Sequence, residues 1–515
     1  MKKSTQQQIL VLLLCLIVGF VLRYYAFDQK SLWMDEIYTF NDSRYDVKEQ
    51  LNFYKENPTY LQAPLFFILM HQLYPFEKPE RDLRIIPLIF GILSIPMIYL
   101  LAKQFSSTIA LPCALSLALM TYHVSLSQDA RSYTFLMFIG MAGLFFFMKH
   151  LQTRAKVYLL LLALSFAILF HASYSSIPFI AFSQILWLYR TDETQKSPPL
   201  SSFFALNGLI LLFCLPWFIF LASHYNGQPV ANLQNIKQPL SLWNILYGVF
   251  HDWAPKTPLM VTSVILFILS IFFSKNRRNS LVLLSIFILP IGGLYLYCRL
   301  FNITHFVTSR YFITFLPVFF IIIFLSVDAV EAKFVRLKKY LRLKVLLLTL
   351  IIVTNLVMLP LYYRSEKQDY RGLVNYLRSR IRDGDKIIVG NLPYMGVVLH
   401  YFGVYPVGRQ YAIPAHIVSN GEIEHRMTLI SQNIRFTIIY SKSYWFEYLK
   451  DGSRLWIVAD KENAKLIKAM MPCPLKGYFD GSYMNMVRFP SDVSLYLFLW
   501  DPKSPDEKGI DIPIE

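Results

Sequence analysis

The sequence predicts a mainly α-helical, polytopic membrane protein with about 11 transmembrane helices and a small C-terminal α/β domain. Three observations lead there. Of 515 residues, 55% are hydrophobic and only 16% charged, against about 25% charged in an ordinary soluble domain. With a mean hydropathy of +0.41, this excludes a wholly soluble chain. The second observation is a series of long apolar runs, and about 20 apolar residues suffice to cross the hydrocarbon core as a helix. The third is a change of texture after residue 361, where shorter helix-like and strand-like segments replace the runs.

The apolar runs fall near 9–27, 84–101, 109–126, 133–148, 157–170, 177–189, 202–222, 258–273, 280–298, 311–328 and 345–361. Lys2 and Lys3 before the first run imitate a signal peptide, but Arg23 and Tyr24 follow it in place of a small-residue cleavage site, so the run is expected to stay as a span. A further run, Pro64 to Phe76, is only about a dozen residues long and suits an interfacial helix better than a span.

Loop charge sets the direction of threading. With eleven spans and a cytoplasmic N-terminus, the inner segments near 1–8, 102–108, 149–156, 190–201, 274–279 and 329–344 hold about 17 Lys and Arg in fewer than 65 residues. The outer loops hold about a dozen in twice that length, as the positive-inside rule requires. An odd number of spans then delivers the C-terminus to the outer side.

From 362 to 515 the reading is helix-like RGLVNYLRSRI, an Asp-Gly turn, strand-like KIIVG, RFTIIYS and RLWIVAD, helix-like KENAKLIKAMM, and final strands around MNMVRF and SLYLFLW. The expected domains are therefore 1–361, a transmembrane domain whose first outer loop is 28–83, and 362–515, an extracytoplasmic α/β domain long enough to bury its own core.

The net charge of +17 comes from 50 Lys and Arg against 33 Asp and Glu. The polar tail is nearly balanced, with 20 basic and 17 acidic residues, so the excess lies in the inner loops and argues against a nucleic-acid partner. Cys15, Cys113, Cys214 and Cys298 lie in or beside apolar runs and only Cys473 in the tail, which gives no disulfide framework and no CxxC metal pair.

Polar residues that look out of place collect in the outer loops. Asp35 and Glu36 stand just beyond the first span, Arg84 at the head of the second, and Asp129, Arg131 and Tyr133 between the third and fourth. His171 and Tyr174 lie between the fifth and sixth, and Arg310 and Tyr311 open the tenth. Each has a bland reading. Adjacent acids in a loop can simply be solvated, Asp129 and Arg131 can form a surface pair worth under about 1 kcal/mol, and arginines at span ends can snorkel to headgroups. A lone histidine is more often a hydrogen-bonded helix-end residue than a base. Convergence of several loops on one membrane face favours a joint role.

Transfer of a sugar from a lipid-linked phosphate uses such a set. The departing polyprenyl phosphate is a stabilised anion that needs cations rather than a general acid, and arginine forks suit phosphate. The acceptor hydroxyl needs a carboxylate base within hydrogen-bond reach. Attack from the face opposite the phosphate inverts the anomeric centre.

The ordered motifs WMDE at 33–36, AP at 63–64, RIIPLIFGILSIPMIYLLAKQF at 84–105, SLSQDARSYTF at 125–135, HASYS at 171–175 and SRYFITFLPVFF at 309–320 resemble the GT-C membrane glycosyltransferases. The likeness is greatest to their bacterial branch, related to protein O-mannosyltransferases and the lipid A aminoarabinose transferase. It covers most of 1–360 and fades after about residue 405; no single motif is specific, but their order is. The resemblance implies a GT-C fold, a polyprenyl-phosphate sugar donor and an extracytoplasmic active site. It maps the acidic pair to Asp35 and Glu36, with the first acid as base or acceptor-orienting group, and phosphate contacts to Arg310 and Arg131. Asp129 takes the place of a second acid found in some relatives. A histidine-tyrosine pairing of the family is spread here to His171 and Tyr174. Some GT-C enzymes use a divalent metal and others do not; no obligatory metal is expected here, and a divalent metal stays open.

These readings converge on an inverting glycosyltransferase of the bacterial inner membrane. It would act on a cell-envelope acceptor: lipid A or another glycolipid, a polysaccharide, or a protein. The alternative is a transporter or flippase of lipid-linked saccharides. Such proteins place ionisable groups near the bilayer midplane and often show repeat symmetry, whereas these spans are nearly free of charge at their centres.

Overall fold

The computed structural model describes residues 2–58, 61–191, 199–225, 241–273, 276–300, 308–334, 342–390, 392–405, 415–417, 423–440, 448–450, 452–471, 473–481, 493–504 and 508–514. The strand expected around 484–489 lies outside them, as do 192–198 and 335–341 of the basic inner loops. By its contacts the chain divides into a helical unit, Met1–Phe27, Asp46–Glu77 and Arg81–Tyr362, and a sheet unit, Asp28–Tyr45, Lys78–Glu80 and Tyr363–Glu515.

The helices run in chain order as α1 (Lys2–Tyr24), α2 (Met34–Asp42), α3 (Val47–Glu56), α4 (Leu65–His71), α5 (Pro79–Phe105), α6 (Ala110–Leu119), α7 (Thr121–Ser127), α8 (Tyr133–Thr153), α9 (Lys156–Ala172), α10 (Ile177–Ser183), α11 (Leu200–His224), α12 (Leu242–Trp253), α13 (Thr257–Phe273), α14 (Arg277–Leu300), α15 (Leu316–Lys333) and α16 (Leu343–Arg364). On α1 the exposed side chains include Ile9, Leu10, Leu13, Leu14 and Ile17. A helix whose outward face is apolar meets hydrocarbon, and its internal hydrogen bonds leave no main-chain group for lipid to satisfy.

Every one of the eleven expected runs is helical, but fewer than eleven helices have the length of a span. Among the described residues, seven are long and apolar enough: Gln6–Tyr24, Pro79–Phe105, Tyr133–Thr153, Leu200–His224, Arg277–Leu300, Ser309–Lys333 and Leu343–Arg364. The pairs α6/α7, bent by 63°, and α12/α13, bent by 113°, raise the number to nine if each counts as one span. The two remaining runs are the shorter apolar helices Lys156–Ala172 and Tyr174–Leu188. The short run after Pro64 forms α4, of 7 residues, about 10 Å long and far too short to cross.

The α6/α7 break is stabilised from two sides. Met120 is extended, at φ −67° and ψ 112°, so the end of α6 has carbonyls to satisfy. The fully buried Arg23 donates to the carbonyls of Leu117 (2.8 Å), Ala118 (2.9 Å) and Gly19 (3.0 Å), and lies 2.7 Å from His123 Nδ1. On the other side, Asn355 accepts the Thr121 N–H at 2.8 Å, while the Thr121 hydroxyl donates to the Asn355 carbonyl at 3.1 Å. Gln128 donates to the carbonyls of Arg23 and Tyr25 and accepts from the Tyr362 hydroxyl, each at 2.8 Å. Helix α7 can lie close against α5 because Gly91 has no Cβ; one built there would stand 2.2 Å from Ser127 Oγ.

The sheet unit carries an open seven-stranded sheet: β1 (Lys386–Val389), β2 (Ala415–Ile417), β3 (Ile423–Ser431), β4 (Ile434–Tyr440), β5 (Leu455–Ala459), β6 (Leu475–Phe479) and β7 (Leu495–Trp500). Their order is β2-β3-β4-β1-β5-β7-β6. Central β1 pairs in parallel with β4 and β5, and the remaining pairings are antiparallel. Buried runs such as LWIVA in β5 and LYLFL in β7 form its core. Helices α17 (Tyr370–Arg378), α18 (Leu392–Tyr401) and α19 (Lys461–Met470) complete it. Gly384, at φ +83°, makes the expected Asp-Gly turn into β1. The β3–β4 hairpin closes on Gln432 and Asn433, both at positive φ, as a two-residue type I′ turn demands.

Candidate active site

The acidic pair lies in the sheet unit and the other eight candidate residues in the helical unit. Asp35 and Glu36 fall in the first turn of α2, where carboxylates favour the helix N-terminus. Glu36 is fully buried and accepts the Trp33 N–H at 3.3 Å. Lys367 Nζ stands 3.8 Å from its other oxygen and 5.8 Å from the centre of the Trp33 ring. Asp35 is half-buried. The strand of chain leading to α2 is tied down locally. Leu32 N–H and Ser31 Oγ donate to the Tyr401 hydroxyl at 2.6 and 3.1 Å, and Ser31 N–H donates to Glu366 at 3.3 Å. Burial, helped by Asp369, pushes the Glu366 carboxyl above its ordinary range.

In the helical unit Arg84 is buried and donates to the Phe27 carbonyl at 3.1 Å, which sets aside the snorkelling reading for it. Asp129 is buried as well, in a turn closed by Arg131 N–H donating to the Asp129 carbonyl at 2.6 Å, so it is not a solvated loop acid. Arg131 is half-buried beside it. His171 and Tyr174 both reach α11: His171 Nε2 lies 3.2 Å from the Phe213 carbonyl, and Trp217 Nε1 donates to the Tyr174 hydroxyl at 2.8 Å. Pro216 inside α11 deprives the Leu212 carbonyl of its helical donor, and His171 binds the carbonyl next to it. This supports the bland reading of the histidine.

The segment Ser309–Phe315 is a 3-10 turn leading into α15. It packs against α8, α12 and the Tyr174–Ser176 turn. There Arg310 lies over the Tyr133 ring, 5.9 Å from its centre, a cation–π distance. Tyr311 N–H donates to the Thr308 carbonyl at 3.1 Å. The structure therefore brings Arg310 and Tyr133 together, whereas His171 and Tyr174 are spent on α11.

Beside Arg310 lies a group that sequence reasoning passed over. Ser309 Oγ donates to Asp252, and the Tyr122 hydroxyl is 2.8 Å from Ser309 Oγ. His251 Nδ1 is 3.5 Å from the other Asp252 oxygen. Asp252 is a buried acid at the end of an apolar helix, just before the α12/α13 bend. A lone acid in such a helix is the signal that could have found it. Among the described residues no three His, Cys, Asp or Glu side chains gather as metal ligands.

The chain joins a polytopic helical unit to an open α/β sheet unit, and comparison bears out the likeness read from the motifs. The family model Dolichyl-phosphate-mannose-protein mannosyltransferase matches residues 62–220. The fold is that of ArnT from Cupriavidus metallidurans: the apo structure superposes with a TM-score of 0.53 at 11% identity, covering 96% of this chain and 98% of that one. The same protein bound to undecaprenyl phosphate gives 0.52 at 11% identity over the same shares of both chains. No curated protein matches the chain significantly.

Proposed function

We propose that the protein is an inverting glycosyltransferase of the bacterial inner membrane, moving a sugar from a polyprenyl-phosphate donor to a cell-envelope glycolipid, polysaccharide or protein. The observation that carries this reading is Arg310 over Tyr133, on a turn where broken helices meet, within a fold shared with ArnT, a protein solved with undecaprenyl phosphate bound. Asp35 takes the acceptor hydroxyl proton as the oxygen attacks the anomeric carbon. The bond from that carbon to the phosphate oxygen breaks, and the phosphate leaves as an anion held by Arg310 and Arg131. Arg84, Asp129, Tyr133 and Tyr311 shape the donor site, while Glu36 fixes the turn that presents Asp35. The bent and short helices complete eleven passes, with the N-terminus cytoplasmic and 362–515 extracytoplasmic as an acceptor-shaping domain. No obligatory metal is part of this reading, because the arginines supply the charge that the leaving phosphate needs.

The test is Asp35→Asn and, separately, Arg310→Ala in the native host, with mass spectrometry of envelope glycolipids, polysaccharide and proteins. Each substitution is expected to lower one glycan product at least 100-fold at normal protein level. Two variants that express normally and leave unchanged every glycan lost in a deletion strain would refute the assignment.

A further inference from the structure

Asp252 is a buried carboxylate that the transfer step above does not use, and its surroundings give it a direction. A serine hydroxyl has one hydrogen, and Ser309 gives it to Asp252. The Tyr122 hydroxyl, 2.8 Å from Ser309 Oγ, must then be the donor in that contact. The result is a one-way chain from Tyr122 through Ser309 to Asp252. Its members come from α7, from the turn carrying Arg310, and from the end of α12, so both bent helix pairs contribute to it. The Asp252 end is held by a wall of rings. Trp253 packs edge-on to Phe287 and Phe319 at 5.9 and 5.8 Å, and Phe250 to Phe267 at 5.1 Å. His251 stands on the other oxygen, and the charge of Arg310 bears on the same carboxylate.

A buried carboxylate in an apolar unit is costly unless it is paired and hydrogen-bonded. Packing alone would be served as well by an apolar residue. We propose that Asp252 is a positioning residue for Arg310. Through Ser309 it fixes the turn that aims the guanidinium, and its charge balances that of Arg310 until a donor phosphate takes over. This rests on the glycosyltransferase reading, since the anion that Arg310 would hold in the transfer step is the phosphate of the lipid donor.

The experiment uses the full-length protein in lipid nanodiscs, with undecaprenyl phosphate binding as one readout and glycan formation in the native host as the other. Asp252→Asn keeps the shape and loses the charge. It is expected to bind undecaprenyl phosphate as tightly as the native protein or more tightly, while product falls at least 10-fold. Ser309→Ala, which keeps the Asp252 charge, should lower product likewise with binding unchanged, and the double variant should make no less product than the poorer single one, because both act through one chain. If Asp252→Asn does not accumulate as folded protein, Ser309→Ala carries the same test. Native turnover in a folded variant, affinity lost in step with turnover, or single effects that multiply in the double variant would overturn the proposal. The underlying reading fails differently: the native protein would not bind undecaprenyl phosphate, and Arg310→Ala would change no glycan, which sinks both.

Discussion

In the helical unit the buried cation Arg23 is met by main-chain carbonyls, whereas in the sheet unit the buried acids Asp385 and Glu424 are met by arginines. Arg23 spends its hydrogen bonds on Gly19, Leu117 and Ala118 and on His123. Asp385 accepts from Arg454 Nη1 (2.7 Å), Trp456 Nε1 and Arg382 N–H (both 2.9 Å), and Glu424 accepts from Arg426. The difference follows from the solvent. A broken helix surrounded by hydrocarbon offers carbonyls that no water can reach, so one cation both finds acceptors and closes the break. In the sheet unit the arginines keep contact with water, the Arg454 side chain being 14% and the Arg426 side chain 44% exposed. Water can therefore replace part of what a lost partner supplied.

The sharpest way to break this comparison is Arg23→Leu. The substitution takes the Arg23 donor from the Ala118 carbonyl and leaves the Leu117 carbonyl only the 3.4 Å bond from the Met120 N–H, and buried unsatisfied groups cost about 1–3 kcal/mol each. A loss of about 3 kcal/mol is expected, read as a lower thermal midpoint of the purified protein in detergent. An unchanged midpoint would mean that Asn355 alone holds the bend. Arg454→Ala is expected to cost less, about 2 kcal/mol, because the Asp385 carboxylate retains Trp456 and Arg382 and gains water at the rim. Hydrogen exchange of the β1 and β5 amides checks it: protection should fall there and not in α6 or α7. Equal losses from the two arginines would erase the distinction between the units.

Much of the helical unit was legible, because each apolar run is long enough to declare itself without knowledge of its neighbours. The bends were not. The stretch ALPCALSLALMTYHVSLS contains no proline or glycine at Met120, and the break there is stabilised by Arg23, nearly a hundred residues earlier, and Asn355, more than two hundred later. In the sheet unit β1, β4, β5, β7 and α19 follow the expected segments, since alternation and apolar runs are local signals. Strand β3 was missed because IEHRMTLIS is largely polar and its hairpin turns on Gln-Asn rather than the Asn-Gly that usually marks a type I′ turn. In the site, the motif arginines and acids were readable as residue types, but Asp252 acquires meaning only when two helix breaks bring it to Ser309.

The mildest test uses a buried base in the sheet unit. His400, on α18, packs edge-on to Phe40 with ring centres 4.6 Å apart and lies 5.2 Å from Tyr405. Burial, with Arg44 adding to it, lowers its pKa to about 3. Its Nδ1 has no hydrogen-bond partner among the described residues, so nothing fixed waits to receive a proton, in contrast to the carbonyls around Arg23. The sign follows from linkage: the folded pKa is depressed below the unfolded value, near 6.5, so this contribution is complete above pH 6.5 and is lost as pH falls toward 3. At pH 5.5 the sheet unit should have lost about 1 kcal/mol. Hydrogen exchange of α18 and β4, corrected for intrinsic pH dependence, should show this loss between pH 7.0 and 5.5 in the native chain. In His400→Phe, whose ring can pack on Phe40 without titrating, the same interval should bring no loss from this site. Equal acid sensitivity in both would assign the effect to groups other than His400.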